Sequence, residues 1–207
     1  MTTRSSASRT TRERAKAQRA DSLLEAAAHL FAEHGFDGVS LEDLGTAVGI
    51  TGPAVYRHFD SKRALLGAIL LRASEDLLAG GQRVTAAGRA PDRALRDLVD
   101  FHVEFAVHSA AVIRVHDRDL TSLSDADRHA VRRLQRQYVE LWVGVLRAVH
   151  PARSETELRV RAHAGFGLIN STPYAVRTLR EVAVDADTDE LLRGVLSEMA
   201  YAALSAR

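Results

Sequence analysis

The sequence has no cysteine, only four prolines and few aromatics, which make up 5% of its 207 residues. Without cysteine, disulfides and thiolate metal sites are excluded. No apolar run approaches the roughly 20 residues that cross a bilayer. The basic residues near the N-terminus are not followed by an apolar segment, so no signal peptide is expected and the expected location is the cytoplasm. No membrane partner is expected. The nine histidines include no pair at His-x-x-x-His spacing, so no metal site is expected. No Gly-x-Ser-x-Gly elbow, phosphate-cradling Gly-x-x-x-x-Gly-Lys loop or dinucleotide glycine pattern occurs, which argues against an enzyme and against a bound cofactor.

Strand-like alternation is also missing. Alanine, leucine and arginine, all good helix formers, are abundant, and the expected fold is all-α with about nine helices. A strong net charge is missing too, at only +1, so composition alone says nothing about nucleic acid. The distribution says more. Residues 1–19 hold Arg4, Arg9, Arg12, Arg14, Lys16 and Arg19 against one acid, Glu13. Residues 1–13, rich in Ser, Thr and Arg, read as a disordered basic arm. Such an arm either tracks phosphates or a minor groove, or is merely a solvated tail.

What stands out is residues 40–62. Leu41, Leu44 and Val48 fall on one helical face. Ser40 and Asp43 have the spacing of a helix cap. Gly49 sits where the chain must turn through an unusual backbone angle. Thr51 or Gly52 can cap a second short helix, and Pro53 suits its first turn. A short polar helix set at a sharp angle by a glycine turn is what enters a DNA major groove.

This stretch resembles the helix-turn-helix of the TetR family of bacterial transcriptional regulators. Ala15 to Ala32 matches the first helix and Ser40 to Leu44 opens the second. Val48-Gly49-Ile50-Thr51 is the turn, Val55-Tyr56-Arg57-His58-Phe59 the recognition helix, and Ser61-Lys62 the start of the fourth. Gly45 stands where such motifs usually carry alanine, and Arg63 where an acid is common. The resemblance implies a DNA-binding head at 14–62 and a ligand-binding and dimerisation domain at 63–207. It also implies a homodimer on an inverted-repeat operator, and a small-molecule effector.

The resemblance, together with side-chain chemistry, implies roles. Ser40, Arg12 and Arg14 are placed to meet the DNA backbone. Tyr56, His58 and Lys62 look like phosphate contacts. Thr51, Gly52, Pro53 and Ala54 are small enough for close approach, and Arg57 is the candidate for reading guanine. Phe59 reads as core.

Beyond residue 79, glycines at 80–81 and 88 bracket an expected loop. Five further helices are predicted at about 92–108, 110–120, 124–149, 154–180 and 188–205, with a break or kink at Pro173. Candidate effector-lining residues are Phe101, His102, Phe105, Arg114, His116, Tyr138, Trp142, Phe166, Asn170 and Tyr174. Plain core packing is the competing reading for each aromatic. An apolar lining suggests a hydrophobic or amphipathic effector, possibly a lipid or acyl-CoA. Arg114, Arg118, Arg132, Arg133 and Arg136 either meet a phosphate-bearing ligand or form a solvated face. The expected dimer face combines Leu158, Ala162, Gly165 and Ile169 with Leu192, Val195, Leu196, Met199 and Ala203. The alternative is that both stripes cover the chain's own core. Two rival functions remain open: a helical protein-interaction module, and a helical enzyme acting on lipids.

Overall fold

The computed structural model describes residues 4–175 and 186–206, with side chains described from Arg14 except those of residues 15, 186 and 187. Every regular element among them is helical. They are α1 (Arg4–His34), α2 (Leu41–Ala47), α3 (Gly52–Val55), α4 (Lys62–Thr85), α5 (Pro91–His108), α6 (Ala110–Asp119), α7 (Asp125–Val149), α8 (Glu155–Ile169) and α9 (Ala186–Ser205). A 3₁₀ turn at Leu120–Ser122 joins α6 to α7. The chain divides into two compact units, Met1–Leu70 with Val115–Arg128, and Leu71–Arg114 with His129–Arg207.

In the first unit, α1 begins at Arg4. Residues 4–13 of the segment expected as a disordered arm therefore continue the first helix, and residues 1–3 lie outside the described residues. Nothing from residue 4 to 34 is glycine or proline, and alanine and arginine are the commonest residues, so no residue interrupts the helical ladder. Gly35, at φ 83°, ends α1 in the left-handed conformation that glycine adopts freely. Leu23, Ala27, Phe31, Phe36, Val39, Leu44, Val55, Leu65 and Leu66 are buried here. Phe31 and Phe36 meet edge to face at 5.5 Å.

The second unit is built on α5, α7, α8 and α9. Leu95, Leu98, Val99, Val103, Trp142, Val143, Leu146, Leu158, Ala162, Ile169, Leu196 and Leu204 form one buried cluster. Each fully buried leucine stabilises the fold by about 1.5–3 kcal/mol through apolar burial. α4 does not stop at Ala79. It runs to Thr85 through the glycine pair, and the loop begins after it. The reason is close packing: a Cβ on Gly80 would lie 2.0 Å from the Phe101 ring, and one on Gly81 2.7 Å from the Tyr138 ring. α8 ends at Ile169, short of the expected 180. A turn at 170–171 precedes Pro173, and helical residues resume at 172–175. Residues 176–180 of that expected helix lie outside the described residues.

Candidate functional site

The head is assembled around the α2–α3 corner. Ser40 caps α2 in a reciprocal box: the Asp43 N–H donates to Ser40 Oγ at 3.1 Å, and the Ser40 N–H donates to Asp43 Oδ2 at 2.8 Å. Ser40 Oγ also donates to Asp43 Oδ2 at 2.7 Å. These bonds, the side-chain one foremost, hold the Asp43 carboxyl below its ordinary pKa. They also commit the Ser40 hydroxyl hydrogen that a phosphate would otherwise receive. Gly49, at φ 70°, makes the turn, and the Ile50 N–H closes it on the Gly45 carbonyl at 2.9 Å. A Cβ on Gly45 would lie 2.7 Å from the Ile50 carbonyl oxygen and 2.8 Å from the Gly52 nitrogen. Glycine there lets α3 sit against α2.

α3 is a single turn, Gly52–Val55, with Pro53 in its first turn and Thr51 as N-cap. The recognition segment expected as a helix through Phe59 tightens after Val55 instead. Arg57 and His58 donate to carbonyls three residues back, Ala54 and Val55. The outer flank of this corner exposes Thr51, Pro53, Tyr56 and Arg57, with Tyr56 53% exposed. The Thr51 side chain makes no capping bond. Gly52 and Val55 face inward, and Ala54, His58 and Phe59 are half-buried. His58 Nδ1 is buried without a partner. Arg14 is exposed on α1, whereas the Arg12 side chain lies outside the described residues.

Lys62 needs correction. Its ammonium donates to the carbonyls of Phe36 at 2.7 Å and Val39 at 2.9 Å, and sits 4.5 Å from the Phe36 ring centroid. Two of its three donors tie the α1–α2 loop to α4, so its first role is structural. A second cation does similar work. Arg118, at the end of α6, bonds the Phe31 carbonyl and reaches that of Ala32 at 3.4 Å, while its guanidinium pairs with the buried Asp119 at 3.0 Å. The Asp119 hydrogen bond raises the Arg118 pKa further. Arg118 caps the last carbonyls of α1.

In the second unit, five of the ten expected effector-lining side chains come together. His102 is 3% exposed. Its ring nitrogens lie 3.0 Å from the Tyr138 hydroxyl and 3.2 Å from Asn170 Oδ1. Its ring stacks with Tyr138 at 5.6 Å and Phe166 at 5.2 Å. Trp142 meets all three rings edge to face. Burial pushes the His102 pKa down to about 4, only partly opposed by Asn170, so the imidazole is neutral. Burial also pushes the Tyr138 phenol up. Phe105 borders the group, 6.4 Å from His102.

The other four stand apart. Phe101 packs on Gly80. Arg114 is exposed, with a long bond of 3.4 Å to the Pro173 carbonyl. His116 belongs to the first unit and contacts Asp117. Tyr174 is 64% exposed. The residue type of each suits a lining role, and the helix phase turns the side chains elsewhere. An open cleft of about 370 Å³ lies among Thr85, Pro91, Ala94, Leu141, Val145 and Ala148, and none of the expected lining residues borders it.

The expected dimer face on α8 is also corrected. Leu158, Ala162, Gly165 and Ile169 are buried within the chain itself. A Cβ on Gly165 would lie 3.1 Å from Leu204, so the small residues admit α9 of the same chain. On α9, Leu192 and Leu196 are likewise core. Val195 at 44%, Met199 at 53% and Ala203 remain exposed. Val160 at 63% and Leu191 at 62%, which the spacing did not single out, are the other large apolar residues open on these helices.

Comparison with known proteins decides what this assembly is. Residues 23–69 match bacterial regulatory proteins of the tetR family, and residues 88–174 match a tetracyclin repressor-like C-terminal domain. The HTH-type transcriptional repressor KstR2 of Rhodococcus jostii is 30% identical over 191 residues, covering 89% of this chain and 93% of that protein. The chain belongs to the TetR family of transcriptional regulators. A solved TetR-family regulator from Bordetella parapertussis superposes with a TM-score of 0.74 at 25% identity, covering 89% and 93% of the two chains. AibR, solved in complex with isovaleryl coenzyme A and operator DNA, superposes at 0.70 with 18% identity, covering 87% and 97%.

In this TetR-family protein the α2–α3 corner is thus the helix-turn-helix. Sequence reasoning found its exposed flank, and missed that Lys62 and Arg118 brace it from behind. Neither brace had a local signal, since their partners are carbonyls 23 to 87 residues away.

Proposed function

We propose that the protein is a ligand-responsive repressor that binds an inverted-repeat operator as a homodimer and leaves it when an apolar or amphipathic effector binds the second unit. The observation that carries the reading is the α2–α3 corner. Gly49 and the Gly45 approach hold Thr51, Pro53, Tyr56 and Arg57 outward on and around the single turn of α3. Tyr56 contacts phosphate through its hydroxyl, Thr51 and Pro53 lie against base edges, and Arg57 reads guanine. Arg14 and the basic start of α1 add backbone charge.

One three-helix head reads too few base pairs to be selective, and a two-fold pair reads a palindrome with half-sites about 34–36 Å apart. The exposed stripe of Val160, Leu191, Val195 and Met199 supplies the apolar face for that pair. Acyl-coenzyme A thioesters lead the effector candidates, because AibR was solved with one and the His102 cluster is apolar with few polar groups. The protein acts by binding rather than catalysis, and works in the cytoplasm where its DNA is. No described helix is long and apolar enough to cross a membrane.

Selection of bound duplexes from a random library tests this directly. An enriched inverted repeat supports the reading, and Arg57→Ala relaxes preference at one base pair of each half-site, by about 1–3 kcal/mol. Enrichment of no symmetric sequence rejects it.

A further inference from the structure

Glu42 and Gly45 stand one turn apart on α2 and share a face of that helix. The face is turned to the start of α3. A Cβ on Gly45 would lie 2.8 Å from the Gly52 nitrogen, and a Cβ on Gly52 would lie 3.2 Å from Glu42 Oε1. The Glu42 carboxylate therefore lies against Gly52, which stands between Thr51 and Pro53 in the chain. Gly52 is buried, whereas Glu42, Thr51 and Pro53 are exposed. The neighbouring acid, Asp43, is committed to Ser40. Among the described residues, the Glu42 carboxylate has no hydrogen-bond donor and no cation as partner.

We propose that Glu42 is a specificity residue of the helix-turn-helix, accepting a hydrogen bond from cytosine N4 in each half-site and penalising duplexes that lack cytosine there. The inference rests on the reading above, in which the outer flank of the corner meets base edges. A carboxylate with no cation of its own chain beside it lowers affinity for every duplex, because it enters the negative potential of the phosphates. A base that donates to it offsets that cost, and other bases do not, so the acid discriminates by exclusion. In the major groove the donors are the exocyclic amines of cytosine and adenine. Cytosine suits a carboxylate better, since adenine N6 lies beside N7 of the same base, an acceptor that repels the second oxygen.

Duplexes are selected from a random library by the full-length protein and by its Glu42→Ala and Glu42→Asp variants. Affinities for the selected operator and for mixed-sequence duplex are then measured by anisotropy. The unmutated protein is expected to select cytosine at one position of each half-site and to lose about tenfold in affinity when that base pair is changed. Glu42→Ala is expected to lose this preference alone and to bind mixed-sequence duplex severalfold more tightly. Glu42→Asp keeps the charge on a shorter stem. It is expected to lose the cytosine preference too, yet to bind mixed-sequence duplex no better than the unmutated protein. Because the side chain is exposed and unpartnered, the urea midpoints of all three are expected to agree. A base preference unchanged in Glu42→Ala, or weaker binding of that variant to mixed-sequence duplex, overturns the proposal. A lower midpoint with the base preference intact overturns it as well, since that assigns Glu42 a structural role. A protein that selects no sequence strikes the regulator reading together with this one, whereas the same operator selected by all three strikes Glu42 alone.

Discussion

The Lys62 ammonium lies 2.7 Å from the Phe36 carbonyl oxygen and 4.5 Å above the ring of the same residue. One side chain thus fastens the loop between α1 and α2 to the start of α4, and the corner that meets DNA stands on that joint. Lys62→Met keeps the stem and removes two charge-assisted hydrogen bonds. It is expected to cost about 2–3 kcal/mol, read as a lower urea midpoint. An unchanged midpoint with a shallower salt dependence of DNA binding would return Lys62 to a phosphate role.

Gly49 tests the turn. Its φ of 70° is strained for any residue with a Cβ, and a Cβ there would meet nothing within 4 Å. The penalty of Gly49→Ala is therefore conformational alone, about 1–2 kcal/mol by denaturation. Gly49→Asn is expected to lose less, because asparagine tolerates the left-handed region. Equal loss in both would point to a steric cause instead.

The pairing face is tested by charge. Val195→Asp with Met199→Asp places carboxylates on side chains already 44% and 53% exposed in the single chain, so the fold is retained. Sedimentation velocity is expected to show monomers, and operator affinity to fall at least about a hundredfold as the two heads become independent. Leu196→Asp, on the buried side of the same helix, unfolds the second unit instead. A double variant that stays dimeric would place the interface elsewhere.

His102 gives a pH signature. Its folded pKa, about 4, lies below the unfolded value near 6.5. The unfolded chain binds the extra proton first, so stability is full above about pH 6.5 and falls as pH drops toward 4. The loss across that window is of the order of a few kcal/mol. Urea unfolding at pH 7.5, 6 and 5 checks it, and His102→Gln is expected to flatten that part of the profile. A profile equally steep in the variant would assign the effect to other groups.

Much of this is legible in the sequence. Gly49, Pro53 and the Ser40–Asp43 pair carry local backbone instructions, and local instructions survive tertiary context. In α7 the apolar residues Val131, Leu134, Tyr138, Leu141, Trp142 and Val145 recur at 3-4 spacing, a local pattern that puts Tyr138 and Trp142 on the inward face. What failed were choices that only packing makes. α8 is apolar on opposite sides, with Leu158 and Ile169 inward and Val160 outward, so spacing could not say which side stays open. Gly80–Gly81 read as a loop because glycine usually interrupts helices, yet here the missing Cβ atoms make room for Phe101 and Tyr138. His116 and Tyr174 looked like lining groups because their chemistry fits, and chemistry does not fix direction.

The central claim is that two copies of the α3 corner lie in duplex grooves as a symmetric pair. Fluorescence anisotropy of a labelled inverted repeat, titrated with the full-length protein at 50 and 200 mM salt, measures it most directly. Saturation at two chains per duplex, with affinity falling about a thousandfold or more between the two salts, is the predicted result. Saturation at one chain per duplex, or an affinity indifferent to salt, would contradict it.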